Sequence, residues 1–142
     1  MTEDKEPLSH WLGELLDSDP KRRREALQQL GQQEPLGVVA VPALVRYIGR
    51  FGPSDEPPAY EVAQMLDRIG PDAIPKVMEC LGDQDPQLRK AAARSLGLLS
   101  LAAVDALPDM QLAAKKEKDP EVREEIEIAI DYIEGDIAAT AE

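Results

Sequence analysis

Histidine and cysteine are almost missing from this chain, with one of each, His10 and Cys80, in 142 residues. Zinc sites draw on three or four Cys, His or carboxylate ligands, and no Cys/His set can be assembled from two. A single cysteine cannot close an intrachain disulfide, so the sequence gives no support for an oxidising compartment. Cys80 lies beside Leu81 on an amphipathic stretch, where a small buried hydrophobe is the expected role. Aromatic residues make up only 4%, which leaves packing to small and aliphatic side chains. There is no uninterrupted apolar run of 18 residues of the kind that crosses a bilayer. The first six residues, Met-Thr-Glu-Asp-Lys-Glu, are acidic and lack the apolar core of a secretory signal. No Gly-rich phosphate loop occurs. Basic residues are also in deficit, 16 against 28 acidic, for a net charge of −12. That balance repels a polyphosphate and argues against nucleic acid. The expectation is a cytoplasmic acidic protein with no membrane contact, no metal, no cofactor and no catalytic set.

What is present is a repeat. Ala40-Val41-Pro42, Ala73-Ile74-Pro75 and Ala106-Leu107-Pro108 recur at 33-residue spacing. Asp19-Pro20, Asp85-Pro86 and Asp119-Pro120 interleave with them, and Leu30-Gly31, Ile69-Gly70 and Leu96-Gly97 close each unit. A fixed period of this size marks a repeat architecture. In residues 72–99, Pro75 suits a first helical turn, where its missing N–H is harmless. Ile74, Val77, Met78 and Leu81 then form one apolar stripe. Gly82 stops this helix, Asp85 caps a second, and Pro86 opens it. Leu88, Ala92, Leu96 and Leu99 form the second helix's inner face, with Gly97 and Ser100 expected at its fraying end. The same pattern predicts helix pairs over about 8–17 with 20–30, 42–50 with 58–69, and 105–117 with 120–134. Eight helices and no strand follow. The repeats run 8–31, 41–70, 72–100 and 105–134 in one domain, 1–142, with a short tail at 135–142.

The second repeat departs from this pattern in a compensated way. Gly70 lies five residues before Pro75, whereas Gly31 and Gly97 lie eleven before the next proline. About six residues have moved into the loop at 51–58, Phe-Gly-Pro-Ser-Asp-Glu-Pro-Pro. Insertions in repeat proteins map to one face, often the binding face.

The segment Leu81-Gly82-Asp83-Gln84-Asp85-Pro86-Gln87-Leu88-Arg89-Lys90-Ala91-Ala92, with Leu96-Gly97 closing the helix, resembles the short HEAT-like repeat, including the type named after phycobilin lyases. Weaker copies stand at Leu16–Leu27 and at Asp119–Arg123. The resemblance covers nearly the whole chain and implies an all-α fold, a right-handed α-α superhelix of four helix pairs. It also implies a ladder of joint Asp and following Arg, here Asp19/Arg23, Asp85/Arg89 and Asp119/Arg123, whose i, i+4 spacing also suits a cap plus an ion pair. Val62 leaves that rung empty in the second repeat. Some HEAT-like enzymes hold iron with paired His–Glu motifs, which a single His10 cannot supply. HEAT-like DNA glycosylases need a basic face, and only Lys21-Arg22-Arg23-Arg24 is densely basic.

The resemblance further implies that second helices line the concave surface. Their outward positions are Lys21, Arg24, Glu25 and Gln28, then Gln87, Lys90, Ala91 and Arg94, then Glu121, Glu124, Glu125 and Ile128. With Tyr60 beside the long loop, Lys21, Arg24, Gln28, Gln87, Lys90, Arg94, Glu121, Glu124, Glu125 and Ile128 are the candidate protein-binding residues. The charge falls from −1 over 1–50 to −8 over 101–142, so this face is expected to run from basic to acidic. The function implied is a non-catalytic scaffold for a protein partner, with an accessory subunit of a tetrapyrrole-modifying enzyme as the alternative. The five isoleucines between Ile126 and Ile137 exceed one inner stripe, because residues two apart lie about 200° around a helix. Cover by the tail, or weak homo-oligomerisation of an otherwise monomeric chain through the last helix, would accommodate them.

Overall fold

A computed structural model describes residues 7–33 and 36–141. Among these residues there are eight α-helices and no strand: α1 (Leu8–Glu14), α2 (Pro20–Gly31), α3 (Val41–Arg50), α4 (Ala59–Ile69), α5 (Ala73–Leu81), α6 (Pro86–Leu99), α7 (Leu107–Lys116) and α8 (Pro120–Thr140). They pair as α1/α2, α3/α4, α5/α6 and α7/α8. The molecule is an all-α solenoid in which α1, α3, α5 and α7 are first helices and the others second helices. Short 3-10 turns, Val38–Ala40 and Ser100–Ala106, lead into α3 and α7. Pro42 and Pro108 each occupy the second position of their helix and Pro75 the third, so the repeated proline marks equivalent first turns.

The Asp-Pro joints work as caps. Asp19, Asp85 and Asp119 have extended backbones, and each carboxylate accepts the amide two residues on, from Lys21, Gln87 and Glu121, at 2.9 Å. A second carboxylate stands two residues earlier: Asp17, Asp83 and Glu117 accept the amides of Asp19, Asp85 and Asp119 at 2.8–3.1 Å. Two orphan backbone donors are thus satisfied per joint.

The arginines do not pair with the capping Asp, as the i, i+4 spacing suggested. Arg23 donates to the Asp17 and Ser18 carbonyls, and Arg89 to those of Asp83 and Gln84. Arg123 donates to the Glu117 carbonyl. The physical reason is competition. The carboxylate already serves the helix start, and the turn carbonyls before it take the guanidinium instead. Two of these arginines also reach forward one repeat, Arg23 to the Glu56 carbonyl at 3.0 Å and Arg89 to both oxygens of Glu117 at 3.0 and 3.1 Å. The ladder between repeats is therefore present in a different form.

The core follows the inner stripes. Val77, Cys80, Leu81, Leu88, Ala92 and Leu96 are buried, and Ile74 and Met78 pack against them half-exposed. Burial pushes the Cys80 thiol up from its ordinary pKa, which disfavours the nucleophilic thiolate. On α8, Ile126, Ile130 and Ile133 face inward while Ile128 and Ile137 face outward. The helix runs to Thr140, so the segment expected as a tail continues the helix through that residue. Gly97 and Ser100 also differ from expectation. Gly97 is inside α6, where a Cβ would meet Ala129 of α8 at 3.4 Å. Ser100 alone ends the helix, with φ 54°, and its hydroxyl bonds to Asp136 of α8. An 18-residue window within Pro86–Lys116 reaches a mean hydropathy of 1.3. The Ser100 break divides that stretch between α6, a 3-10 turn and α7, and α6 supplies core residues.

The second repeat breaks the stacking. α3 packs on α6 more extensively than α4 does. The contact is close: a Cβ at Gly49 would overlap that of Ala91 and lie 3.0 Å from its Cα. Ala91, placed outward by the sequence pattern, is therefore buried at 2% exposure. The displaced α4 leaves α3 to fill the place beside α6.

Candidate concave groove

The displacement of α4 also opens a space. A groove of about 620 Å³ lies over α6, between the long loop and α4 on one side and α8 on the other. Its floor includes Ile48, Ala93, Gly97 and Ala129, and its walls carry Phe51, Pro53, Tyr60, Leu98, Ile128 and Tyr132. Tyr60, Leu98, Ile128 and Tyr132 are 56%, 46%, 42% and 64% exposed. Four large apolar side chains are thus presented around one concavity.

The loop at 51–58 is a built wall. The Tyr47 hydroxyl, on a fully buried ring, donates to the Pro57 carbonyl, and the Tyr47 and Phe51 rings lie 4.6 Å apart. The Arg23 guanidinium sits 4.1 Å above the Phe51 ring. Arg23 is only 4% exposed, which strengthens a cation–π contact. Within the loop, Asp55 accepts the Gly52 amide at 2.7 Å. The Glu56–Pro57 bond is cis. Arg23 thus ties the first repeat to the loop of the second, as Arg89 ties the third repeat to the fourth. Burial raises the Tyr47 phenol pKa, offset in part by the hydrogen-bonding and charge of Arg23.

Tyr60, Arg94, Glu125 and Ile128 of the expected surface line this groove. Lys90 and Glu121 form an ion pair one turn earlier on the same helices, at 3.2 Å. Arg24 lies on α2, bound to Glu61 at 2.8 Å and to Glu56, and both carboxylates hold its guanidinium charged. Gln87 borders a smaller hollow of about 300 Å³ beside Leu16, Arg46 and Arg50. Lys21, Gln28 and Glu124 are exposed without a side-chain hydrogen bond or ion pair. Much of the basic charge on this face is paired within the molecule. Arg24 meets Glu61, Lys90 meets Glu121, and Arg94 meets Glu125 at 2.9 Å. Most of the basic run at 21–24 is engaged likewise: Arg23 is buried, Arg24 is paired, and Arg22 faces Glu14 at 3.7 Å, which leaves Lys21 as its free base.

Sequence reasoning left Tyr132, Leu98 and Phe51 out of the site. Tyr132 was within reach, since it lies four residues after Ile128 and shares its helix face. Leu98 and Phe51 were not, because their exposure depends on where α4 lies relative to α6. Among the described residues, no group of three or more His, Cys, Asp or Glu stands where it could hold a metal ion. In comparisons with known proteins, residues 51–131, more than half of the chain, match the family of HEAT repeats. Neither the curated proteins nor the solved structures gave a match.

Proposed function

The chain belongs to the HEAT-repeat family, and on that premise we propose that it is a non-catalytic scaffold that holds a protein partner in the groove over α6. HEAT repeats commonly serve as protein–protein interaction scaffolds. The observation that carries the reading is the cluster of Tyr60, Leu98, Ile128 and Tyr132, all substantially exposed around one concavity. Aromatic side chains at the centre of a concave patch are the usual anchors of an interface. The proposal includes a cytoplasmic location, supported by the single buried cysteine. The test compares proteins recovered from native lysate by the wild type and by Tyr60→Ala/Tyr132→Ala. A partner enriched by the wild type and lost from the double variant supports the reading, and equal recovery by both refutes it.

A second reading rests on the groove's volume. At about 620 Å³ it falls in the range of small-molecule sites, roughly 300–1,000 Å³. An accessory subunit of a tetrapyrrole-modifying enzyme of the phycobilin-lyase type would use such a space for its pigment. Titration with a free bilin distinguishes the two. A saturable absorption change abolished by Tyr132→Ala favours this reading, and an unchanged spectrum favours the scaffold. Nucleic acid is the least favoured partner, given the net charge of −12.

A further inference from the structure

The groove's charge and its scarcity of free backbone groups together define what fits it. Arg94 is the one base on its wall, and it is already held by Glu125 and by the Gly49 carbonyl at 3.3 Å. Glu124 and Asp131 lie four residues before and three after Ile128, which makes them its neighbours on the α8 surface. Both are exposed, and neither has an ion pair or hydrogen-bond partner. On the opposite side the Arg50 guanidinium lies 5.6 Å from the centre of the Phe51 ring. Uncompensated negative charge therefore borders the apolar floor along the α8 rim.

Backbone chemistry narrows the shape. The floor and most of the walls are helices, whose amides and carbonyls are bonded internally except at the start of α4, where Ala59 and Tyr60 have no side-chain cap. The loop amide at Gly52 is taken by Asp55. An extended segment laid here would bury most of its backbone against walls that offer few partners, at a cost per unpaired group. A helix satisfies its own backbone and presents only side chains. A second copy of this acidic chain would bring like charge to the acidic α8 rim.

We propose that the groove binds an amphipathic helix of a partner protein, with an apolar stripe that enters between Tyr60 and Tyr132 and with Lys or Arg along the flank that faces Glu124 and Asp131 of α8. This rests on the scaffold reading and adds the partner's chemistry to it. The bases steer and orient, and the apolar stripe against the tyrosines sets the lifetime of the complex.

The probe is a synthetic 18-residue helical peptide with leucines at i, i+3, i+4 and i+7 spacing and lysines beside them. It is compared with the same peptide carrying glutamates for the lysines, and with a scramble of the lysine peptide that has no stripe. Fluorescence anisotropy of labelled peptide against the full chain reads binding. The lysine peptide is expected to bind, to weaken as salt rises, and to lose about tenfold or more with Tyr60→Ala or Tyr132→Ala. Both tyrosines are exposed, so neither substitution threatens the fold. Glu124→Lys/Asp131→Lys is expected to invert the preference between the lysine and glutamate peptides. Equal binding by the scramble, stronger binding by the glutamate peptide, or indifference to both tyrosine substitutions would overturn the inference. A natural partner that cross-links in the groove through an acidic segment would overturn this inference alone. One that cross-links only to the first helices would overturn the scaffold reading as well.

Discussion

Gly49→Ala tests the geometry that opens the groove. In an isolated helix, alanine for glycine is stabilising by about 1 kcal/mol. At Gly49 of α3 the added methyl has no room, because it would overlap the Ala91 Cβ and lie 3.0 Å from the Ala91 Cα on α6. Neither is the far end of a flexible side chain, so a helix must move. Overpacking of this kind costs about 1–3 kcal/mol, which exceeds the propensity gain at its upper end and roughly cancels it at its lower end. Gly135→Ala supplies the control. It also lies within a helix, α8, but a Cβ there meets nothing within 4 Å, so the full gain of about 0.5–1 kcal/mol is expected. Denaturant melts should therefore separate the two variants by about 1–3 kcal/mol, with Gly49→Ala the less stable. Ala91→Gly placed on Gly49→Ala moves the methyl across the seam, and a positive coupling of about 1 kcal/mol is expected between the two sites. Equal stabilisation by Gly49→Ala and Gly135→Ala would refute the close approach of α3 to α6, and with it the account of why α4 stands aside.

Other consequences follow from the core and the loop. Ala92 is fully buried, so Ala92→Glu should destabilise by on the order of 3 kcal/mol or more, and an unchanged melting temperature would contradict its placement. Arg23→Ala strips a cation from three carbonyls and from the Phe51 ring, so a loss of about 3 kcal/mol and faster amide exchange across 51–56 are expected; unchanged exchange there would show that Arg23 does not hold the loop. Tyr47 has a raised phenol pKa because its ring is buried, so its contribution is fully present below the ordinary phenol value near 10 and is lost as pH rises through the folded value. Tyr47→Phe should accordingly be less stable than the wild type at pH 7, and the gap should close above about pH 10; a gap that widens with alkali reverses the sign and refutes the assignment.

The architecture was legible in the chain because its signals are local. An Asp-Pro start, a proline in a first turn and a Gly stop each act within a few residues, and all three recur. The groove was half legible for the opposite reason. The six-residue shift in the second repeat could be counted, but its consequence is tertiary: α3 takes the place beside α6, Ala91 turns from surface to seam, and Leu98 stays uncovered. Charge misled in the same way. Lys90 and Arg94 look free along α6, yet their partners stand 31 residues later on α8. The arginine after each joint looked like the partner of its own Asp, when the carbonyls of the turn compete for it.

The central claim is that the space vacated by α4 is where the partner sits. Hydrogen exchange on the full chain, alone and with its captured partner, addresses it directly. The account predicts new protection at 51–60, in the second half of α6 and across 125–132 of α8, with α1, α5 and α7 unchanged. Protection confined to those first helices, with the groove segments exchanging as before, would contradict it.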